Sequence, residues 1–368
     1  MKQYKLLEIT FQDDQYLRGF YNTHNNIDEL SYNELFSMLA NDSYGESDFI
    51  HPQLEKLGIE SKVVFYNNRN LQDKWNQNHQ DLSYFDILIS QIKEYSPDII
   101  LNSAIAGFTK EETAIIKESL PTKDKKMVGF HFSTLDDRFK QNVSFYDQIY
   151  TGSKSYVNMM RSCGIPAYLL RHTFEPEIID KLSKSERKNE ICFSGSICVG
   201  KSAHNNRLDM LDILRKFDVP YIFYGNIYDY KQADDKYAGI IKEVEKDKKE
   251  GLFGINYYSA LNQYNICLNL HSPIIGDGAG NMRMFEATGL GICLLTDHKS
   301  ENAELFDVTN EIVVYDSFED MVEKAKWLIN NPNKARKIAL AGQKRTLAEY
   351  TYKNKAEQMN EYIQMLLI

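Results

Sequence analysis

The chain of 368 residues lacks several features that would mark a secreted, membrane or disulfide-bonded protein. Its five cysteines form no Cys-x-x-Cys pair, so we expect buried free thiols in a reducing compartment. No run of 18 apolar residues occurs, and the start of the chain has no apolar core with a small-residue cleavage site. These absences predict a cytoplasmic protein without a transmembrane segment, which would touch a membrane only peripherally, through an acceptor molecule.

Several catalytic sequence patterns are also missing. The His, Cys and carboxylate residues show no metal-ligand spacing, and no Asp-x-Asp occurs, so no metal site is predicted. There is no Gly-x-Ser-x-Gly nucleophile elbow. The glycines at 276, 278 and 280 have the wrong spacing for a dinucleotide fingerprint, and the Gly-Lys-Ser at 200–202 has the wrong spacing for a P-loop. We therefore expect no metal and no bound cofactor.

Composition and charge narrow the class further. An apolar fraction of 43% predicts a folded protein. A chain of 368 residues is longer than a typical single-core domain, which suggests two domains. The net charge of −9, from 43 basic and 52 acidic residues, argues against broad nucleic-acid binding. A local basic pocket could still hold a small anion on such a protein. We expect a monomer or a homodimer.

Strands alternate with helices along the whole chain, which predicts an α/β fold with mostly parallel sheets. The predicted strands are 4–11, 62–66, 97–101, 127–132, 146–150, 190–194, 220–224, 266–270, 292–295 and 311–315. The predicted helices are 30–39, 51–57, 82–95, 111–120, 153–163, 207–217, 257–263, 281–288, 318–330, 334–350 and 353–367, with 229–251 a polar helix or excursion. Residues 171–188 hold a proline and many charges, so we place the domain linker there. The predicted domains are 1–175 and 186–345.

The chain is organised around residues 276–306, where three glycines precede a helix and a buried strand. A glycine-rich turn that opens a helix presents free backbone N–H groups and the positive end of the helix dipole to an anion. Arg283 adds a planar donor fork suited to phosphate, and Glu286 follows one helical turn later. The alternative is an ordinary loop, helix and strand of any α/β domain.

This stretch resembles the donor-binding segment of group 1 glycosyltransferases of the GT-B fold, in the CgeB-like (spore maturation protein-type) branch. The residues that carry the resemblance are Arg283, Glu286, Ala287, Gly289, Thr296 and Asp297. Residues 341–352, 47–58 and 71–75 resemble other segments of the same branch. The resemblance implies two Rossmann-like doubly wound domains facing a cleft, with the C-terminal helix, within residues 346–368, crossing back to pack on the first domain.

The resemblance also implies an activity. Group 1 enzymes transfer sugar from a nucleotide-diphosphate sugar, here expected to be of UDP or GDP type, with retention of configuration. The acceptor would be a glycan, a lipid-linked molecule or a protein, as in cell-surface polysaccharide biosynthesis. Two alternatives stay open: a non-catalytic protein that binds a sugar nucleotide or glycan, and a sugar-nucleotide epimerase.

A second basic group follows the first strand of the second domain. Gly195 gives a flexible turn, and Lys201, His204 and Arg207 surround the start of a helix. Relatives in the branch carry a similar His-x-x-Arg, which favours a diphosphate-binding role for these residues. The alternative is a solvated loop with ordinary surface charges.

The remaining nucleotide-binding residues lie around the central helix. Gly280, Asn281 and Met282 form its start, and His271 ends the preceding strand, where α/β folds place ligand groups. In the related enzymes the glutamate matching Glu286 binds the ribose hydroxyls. We expect it in a solvated cleft, so that its replacement leaves folding stability unchanged.

Three residues are predicted to be catalytic: His131, Asp277 and Arg283. Relatives often carry a second glutamate eight residues before the first, where this chain has Gly278, so Asp277 is a candidate substitute. His131 follows a strand of the first domain whose carboxyl end should face the cleft. Arg283 would stabilise the leaving diphosphate in place of a metal ion. A solvated loop would equally explain the acidic residues that follow His131.

Overall fold

The computed structural model of the chain describes residues 3–77, 82–184, 186–199, 205–228, 235–273 and 276–367. The chain divides into two compact units. Within the described residues, the first unit comprises Met1–Gly152, Tyr156–Leu170 and Tyr352–Ile368, and the second comprises Ser153–Ser155 and Arg171–Thr351.

The first unit is built on a six-stranded parallel sheet. Its strands are β1 (Lys5–Thr10), β2 (Glu60–Phe65), β3 (Ile99–Asn102), β4 (Lys126–Phe130), β5 (Gln148–Thr151) and β6 (Ala167–Leu169). They are arranged in the order β2-β1-β3-β4-β5-β6, so the chain reverses its direction of winding at β1. The apolar runs that predicted these strands are buried, as Leu7, Ile100 and Ile149 illustrate.

Helices connect these strands in the crossover manner that parallel pairing requires. They are α1 (Asp14–Thr23), α2 (Tyr32–Asn41), α3 (Glu46–Lys56), α4 (Arg69–Asn76), α5 (Tyr84–Tyr95), α6 (Lys110–Glu118), α7 (Asp137–Asn142) and α8 (Lys154–Ser162). Polar caps fix several starts: Ser31 and Thr109 each accept from the third residue of their helix, and that residue's glutamate bonds back.

The second unit is built on a five-stranded parallel sheet in the order β13-β12-β11-β7-β9, with a separate parallel pair β10-β8. Its strands are β7 (Lys188–Ser194), β8 (Ile197–Cys198), β9 (Tyr221–Tyr224), β10 (Ile227–Tyr228), β11 (Tyr264–Asn269), β12 (Cys293–Asp297) and β13 (Val313–Tyr315). Strands β11 and β12 are almost wholly buried, whereas β7 has a polar start and buries only Ile191, Cys192 and Phe193.

The helices of the second unit are α9 (Glu177–Lys181), α10 (Asn205–Lys216), α11 (Asp235–Asp247), α12 (Gly254–Leu261), α13 (Met282–Gly289), α14 (Asn302–Leu305), α15 (Phe318–Asn330) and α16 (Pro332–Glu349). The hydrophobic core includes Phe193, Leu211, Leu268 and Leu295. Helix α13 follows β11 directly in the order of elements and leads into β12, so its start lies at the carboxyl end of the sheet.

The last helix, α17 (Tyr352–Leu366), belongs to the first unit, where it packs on α3. Lys355 is buried in this contact: its ammonium donates to Glu46 at 2.7 Å and lies 5.0 Å from the centre of the Phe130 ring. Burial of a lysine is tolerated here because it has a carboxylate partner and aromatic faces.

The α/β prediction with parallel sheets is confirmed, and each predicted strand has a counterpart displaced by at most two residues at either end. The predicted start of one helix was wrong. Helix α3 begins at Glu46 rather than His51, because Asp48 caps its start and Pro52 is accommodated inside it. The stretch predicted as a linker contains α9.

Two further expectations can be compared with the structure. All five cysteines are free thiols, but only Cys192, Cys267 and Cys293 are buried; Cys198 is half-buried and Cys163 is exposed, because it follows the end of α8. Among the described residues, no helix is long and apolar enough to cross a membrane.

Candidate functional site

The start of α13 has no side-chain cap. Asn281 occupies the N-cap position, but its side chain makes no capping hydrogen bond. Its amide instead forms a reciprocal pair with Asn269 at the end of β11, with Nδ2 to Oδ1 distances of 2.8 and 3.1 Å. The Met284 N–H donates to Asn281 O at 3.1 Å. The start of α13 therefore has no side-chain cap at the positive end of its dipole, as in many anion sites.

The opposite end of α13 is held by Arg187, which is half-buried. Arg187 donates from Nη2 to Leu290 O at 2.7 Å and from Nη1 to Gly291 O at 2.5 Å. Burial, with the nearby charge of Arg336, lowers the pKa of Arg187 to about 10, so it stays charged at neutral pH. A cation at the carboxyl end of a helix complements the dipole and satisfies its last carbonyls.

The glycine turn before α13 is anchored through His271. The Gly280 N–H donates to His271 Nε2 at 3.3 Å, and His271 Nδ1 lies 2.7 Å from Asp297 Oδ1. These partners assign Nε2 as the acceptor of the Gly280 N–H and Nδ1–H as the donor to Asp297. Gly280 has φ of 101°, a conformation that favours glycine. The His271 side chain is fully buried, so it supports the turn and does not line a surface.

Asp297 is the carboxylate at the base of this arrangement. Burial acts to raise its pKa, but the hydrogen bonds from His271 and the charge of Lys299 outweigh burial and hold the pKa below its ordinary value. Asp297 also accepts from the backbone N–H of His271 at 3.0 Å. An ionised Asp297 therefore fixes both the ring and the backbone of His271.

The beginning of the glycine turn is attached to the loop after β12. Lys299 Nζ donates to Gly276 O at 2.9 Å, and the Ser300 N–H donates to Asp277 Oδ1 at 3.2 Å. The hydrogen bonds from Ser300 hold the pKa of Asp277 below its ordinary value. Asp277 is exposed to solvent and serves in this structure as a turn-stabilising acceptor.

Arg283 and Glu286 are brought together on α13. Arg283 Nη1 donates to Glu286 Oε2 at 2.9 Å, and Arg283 Nη2 donates to Ser194 O, at the end of β7, at 3.1 Å. Tyr257 of α12 donates its hydroxyl to the same Glu286 oxygen at 2.7 Å. Its ring lies under the Arg283 guanidinium, 4.8 Å from the ring centre.

The sequence led us to expect Glu286 in a solvated cleft. The structure contradicts this expectation, because the carboxylate is buried. Only 5% of the residue is exposed, because α12 and the side chain of Arg283 cover it. A buried carboxylate needs partners of this kind to remain ionised.

A second arginine, Arg207, lies against the turn at Gly195 and Ser196, directly after β7. Arg207 Nη1 donates to Ser196 O at 2.6 Å, and it lies 3.4 Å from where a Cβ on Gly195 would stand. Burial, followed by the charge of Arg283, lowers the pKa of Arg207 to about 10. Arg207 and Arg283 donate to carbonyls two residues apart, so an anion bound beside both guanidiniums would offset their mutual repulsion.

The structure thus assembles Gly195, Arg207, Gly280, Asn281, Arg283 and Glu286 around the carboxyl ends of β7 and β11. Met282 opens α13 and is 40% exposed beside them. Lys201 and His204 lie outside the described residues. Sequence reasoning missed Tyr257 and Asn269, since neither stands in a recognisable motif.

His131 belongs to the first unit, directly after β4. Its Nε2 donates to Thr134 O at 3.0 Å, and its ring packs on Phe139 with centres 3.9 Å apart. Burial lowers its pKa from the ordinary value, so the imidazole is neutral at pH 7. Asp136 caps α7 by accepting from the Phe139 N–H at 2.7 Å, which accounts for one of the two acidic residues of this loop.

In the part of the chain that the structure describes, no group of three or more His, Cys, Asp or Glu residues is arranged to hold a metal ion.

Residues 207–361 match a protein-family model described as "Glycosyl transferase-like". This span includes Arg207, His271 and the whole of α13. No curated protein matches the chain in sequence.

Solved structures resemble the chain over its full length. HepE of Anabaena in complex with UDP and glucose aligns with a TM-score of 0.62 and 10% identity, covering 99% of this chain and 100% of HepE. Sucrose-phosphate synthase from Thermosynechococcus elongatus aligns with a TM-score of 0.60 and 10% identity, covering 100% and 99% of the two chains. A glycosyltransferase from Rickettsia africae aligns with a TM-score of 0.58 and 13% identity, covering 100% and 99%.

The fold class is therefore that of the GT-B glycosyltransferases, with two Rossmann-like domains, as predicted. Together with the family match over the second half, the structural likeness supports a GT-B glycosyltransferase.

Proposed function

We propose that this protein is a glycosyltransferase that takes its sugar from a nucleotide-diphosphate donor without a metal ion. The observations that carry the proposal are the hydrogen bonds of Arg207 to Ser196 O and of Arg283 to Ser194 O, and the start of α13, which has no side-chain cap. Two planar guanidiniums and a helix N-terminus form a binding site suited to a diphosphate.

The same groups would supply the catalytic electrostatics. When the bond between sugar and diphosphate breaks, negative charge grows on the leaving phosphate oxygens. Arg283 and Arg207 donate to Ser194 O and Ser196 O at the end of β7, and together with the N–H groups at the start of α13 they would stabilise that charge. Asp-x-Asp is absent from the sequence, and the arginines would take the place of a cation.

We propose that Glu286 binds the ribose of the donor. A carboxylate accepts hydrogen bonds from two vicinal hydroxyls, and charged acceptors bind them strongly. Its present partners, Arg283 and Tyr257, both donate to Oε2. A donor diphosphate would draw Arg283 toward itself and leave the carboxylate to the sugar hydroxyls and Tyr257.

The donor is proposed to be of UDP or GDP type. UDP-glucose is bound in a structure of HepE, one of the structural neighbours, which favours UDP as the first ligand to try. The resemblance to the CgeB-like branch supports retention of configuration and a glycan, lipid-linked or protein acceptor. We further propose His131 and Asp277 as catalytic residues. We also propose that the protein is cytoplasmic and that it is a monomer or a homodimer.

A second candidate function is a non-catalytic protein that binds a sugar nucleotide. Gly278 stands where the related enzymes often carry a glutamate, and Asp277 is engaged by the Ser300 N–H. Such a protein would bind the same nucleotides and release no product. Slow hydrolysis of the bound donor to free sugar and nucleoside diphosphate would exclude it.

A thermal-shift panel tests the proposal. UDP, GDP, uridine and guanosine are added to the protein in the presence of EDTA, because a ligand that binds the folded state raises the unfolding temperature. We expect one diphosphate to give a clear upward shift and its nucleoside to give a smaller one. A shift that requires added magnesium or manganese, or no shift with any diphosphate, would contradict the proposal.

A further inference from the structure

We propose that Tyr257 is a positioning residue of the donor site, acting through Glu286 and Arg283. This inference rests on the proposed function of that site. Tyr257 of α12 contacts both charged residues: its hydroxyl donates to Glu286 Oε2 at 2.7 Å, and the Arg283 guanidinium lies 4.8 Å from the centre of its ring.

The two contacts use different parts of the tyrosine. The hydroxyl fixes the orientation of the carboxylate, and the ring face attracts the guanidinium through its quadrupole. Removal of the hydroxyl alone should therefore disturb Glu286, whereas removal of the ring should disturb both residues. This separation makes the two roles of Tyr257 testable with two substitutions.

The backbone holds Tyr257 in place for this task. Helix α12 buries Tyr258 and Leu261 in the unit, whereas Tyr257 on the neighbouring face is half-buried. Gly254 begins the helix with φ of 57°, a conformation that allows the chain to turn into α12. The rigid helix thus delivers the hydroxyl to Glu286 from a different element.

The hydroxyl matters most once a ligand has entered. In the present structure Glu286 Oε2 accepts from both Arg283 and Tyr257. When Arg283 turns to a diphosphate, the Tyr257 hydroxyl keeps one carboxylate oxygen in place, so the carboxylate stays aligned with the ribose hydroxyls. Loss of this hydrogen bond would reduce the preorganisation of the carboxylate, which would then bind the diol less tightly.

Two variants and two ligands test the inference by titration calorimetry in EDTA. The ligands are UDP and 2′,3′-dideoxy-UDP, which lacks the hydroxyls assigned to Glu286. We expect Tyr257→Phe to weaken UDP about tenfold, the scale of one hydrogen bond to a charged group, and to leave the dideoxy ligand nearly unchanged. Tyr257→Leu removes the ring as well and should weaken both ligands.

A double-mutant cycle with Glu286→Gln shows whether Tyr257 acts through the carboxylate. In the Glu286→Gln background, Tyr257→Phe should change UDP affinity by less than about twofold, because its partner charge is already gone. Tyr237→Phe is the matched control: Tyr237 donates to Asp209 Oδ2 at 3.0 Å in the same unit, and it should leave UDP affinity unchanged.

The outcomes separate the inference from the function on which it rests. Equal losses of UDP and dideoxy-UDP in Tyr257→Phe would show a merely structural tyrosine and overturn the inference, while wild-type binding upheld the function. Unchanged UDP affinity in Tyr257→Phe would do the same. If wild type binds neither UDP nor GDP, the proposed function fails, and the inference fails with it.

Discussion

The backbone N–H of Gly280 donates to Nε2 of His271, 3.3 Å away, so a buried histidine fixes the last residue of the glycine turn. The other ring nitrogen lies 2.7 Å from Asp297 Oδ1. A histidine that the sequence suggested as a ligand-binding group is, in the structure, the support of the residues that would bind the ligand.

Replacement of His271 by asparagine should keep a donor near Asp297 and remove the acceptor of Gly280. Because a buried N–H then lacks its partner, we expect the free energy of unfolding to fall by about 1–3 kcal/mol. Hydrogen exchange at Gly280 should accelerate, and diphosphate affinity should weaken although no contact to the ligand has been removed.

The matched control for this experiment is His298→Ala. His298 also pairs with an aspartate, Asp316, at 2.9 Å, but both side chains are largely exposed. A surface pair contributes about 0–1 kcal/mol, so this variant should behave almost as wild type. Equal effects of the two substitutions would show that the buried pair has no special role in the turn.

Arg283→Ala should weaken diphosphate ligands much more than the corresponding nucleoside. A charge-assisted contact to phosphate is worth about 1.5–3 kcal/mol, and the nucleoside offers no phosphate. Calorimetric titration of UDP and uridine, or of GDP and guanosine, measures the difference directly. The same loss for both ligands would assign Arg283 a structural role in holding Glu286 and Ser194.

Because Glu286 is buried, Glu286→Gln should lower both the stability of the fold and the affinity for UDP. Since Glu286 is buried and accepts from Arg283 and Tyr257, loss of its charge should lower the free energy of unfolding by about 1–3 kcal/mol, measured by chemical denaturation. UDP affinity should fall by a similar amount. A 2′,3′-dideoxy ligand should be indifferent to the change, and an equal loss with that ligand would remove Glu286 from the ribose.

The buried His131 should make the stability of the protein depend on pH. Its pKa in the folded protein is lowered by burial, so the unfolded chain binds the proton more readily. Its contribution to stability is complete above the ordinary histidine pKa of about 6.5, declines below that pH, and is lost once the pH has fallen through the lowered pKa of the folded protein. The unfolding temperature of wild type should drop between pH 7.5 and 5.5 more steeply than that of His131→Gln. Parallel curves would show that His131 does not contribute.

The sequence predicted the parts of the fold that follow from apolar periodicity. Strands β11 and β12 and residues 191–193 of β7 are buried runs of mostly apolar residues, and these strands lie where they were expected. Helix α1 was missed because its sequence is largely polar, although Asp13 caps it by accepting from the Gln15 N–H. Strand β6 has only three residues, too few for a periodic signal.

The site was predicted in part for a similar reason. Arg283 and Glu286 stand three residues apart on one helix, so their proximity follows from helical geometry. Tyr257 precedes Arg283 by 26 residues and reaches it only because α12 packs beside α13, which no local pattern reveals. The burial of Glu286 is a tertiary effect of the same kind.

The most direct test of the account is the release of nucleoside diphosphate from a nucleotide sugar in the presence of EDTA, for wild type and Arg283→Ala. The donor is the sugar nucleotide whose diphosphate raises the unfolding temperature. We predict that wild type releases product without a divalent metal and that Arg283→Ala is slower by about 100-fold or more, the scale of losing one preorganised donor to a developing charge. Release that needs magnesium or manganese, or equal rates in the two proteins, would contradict the central claim.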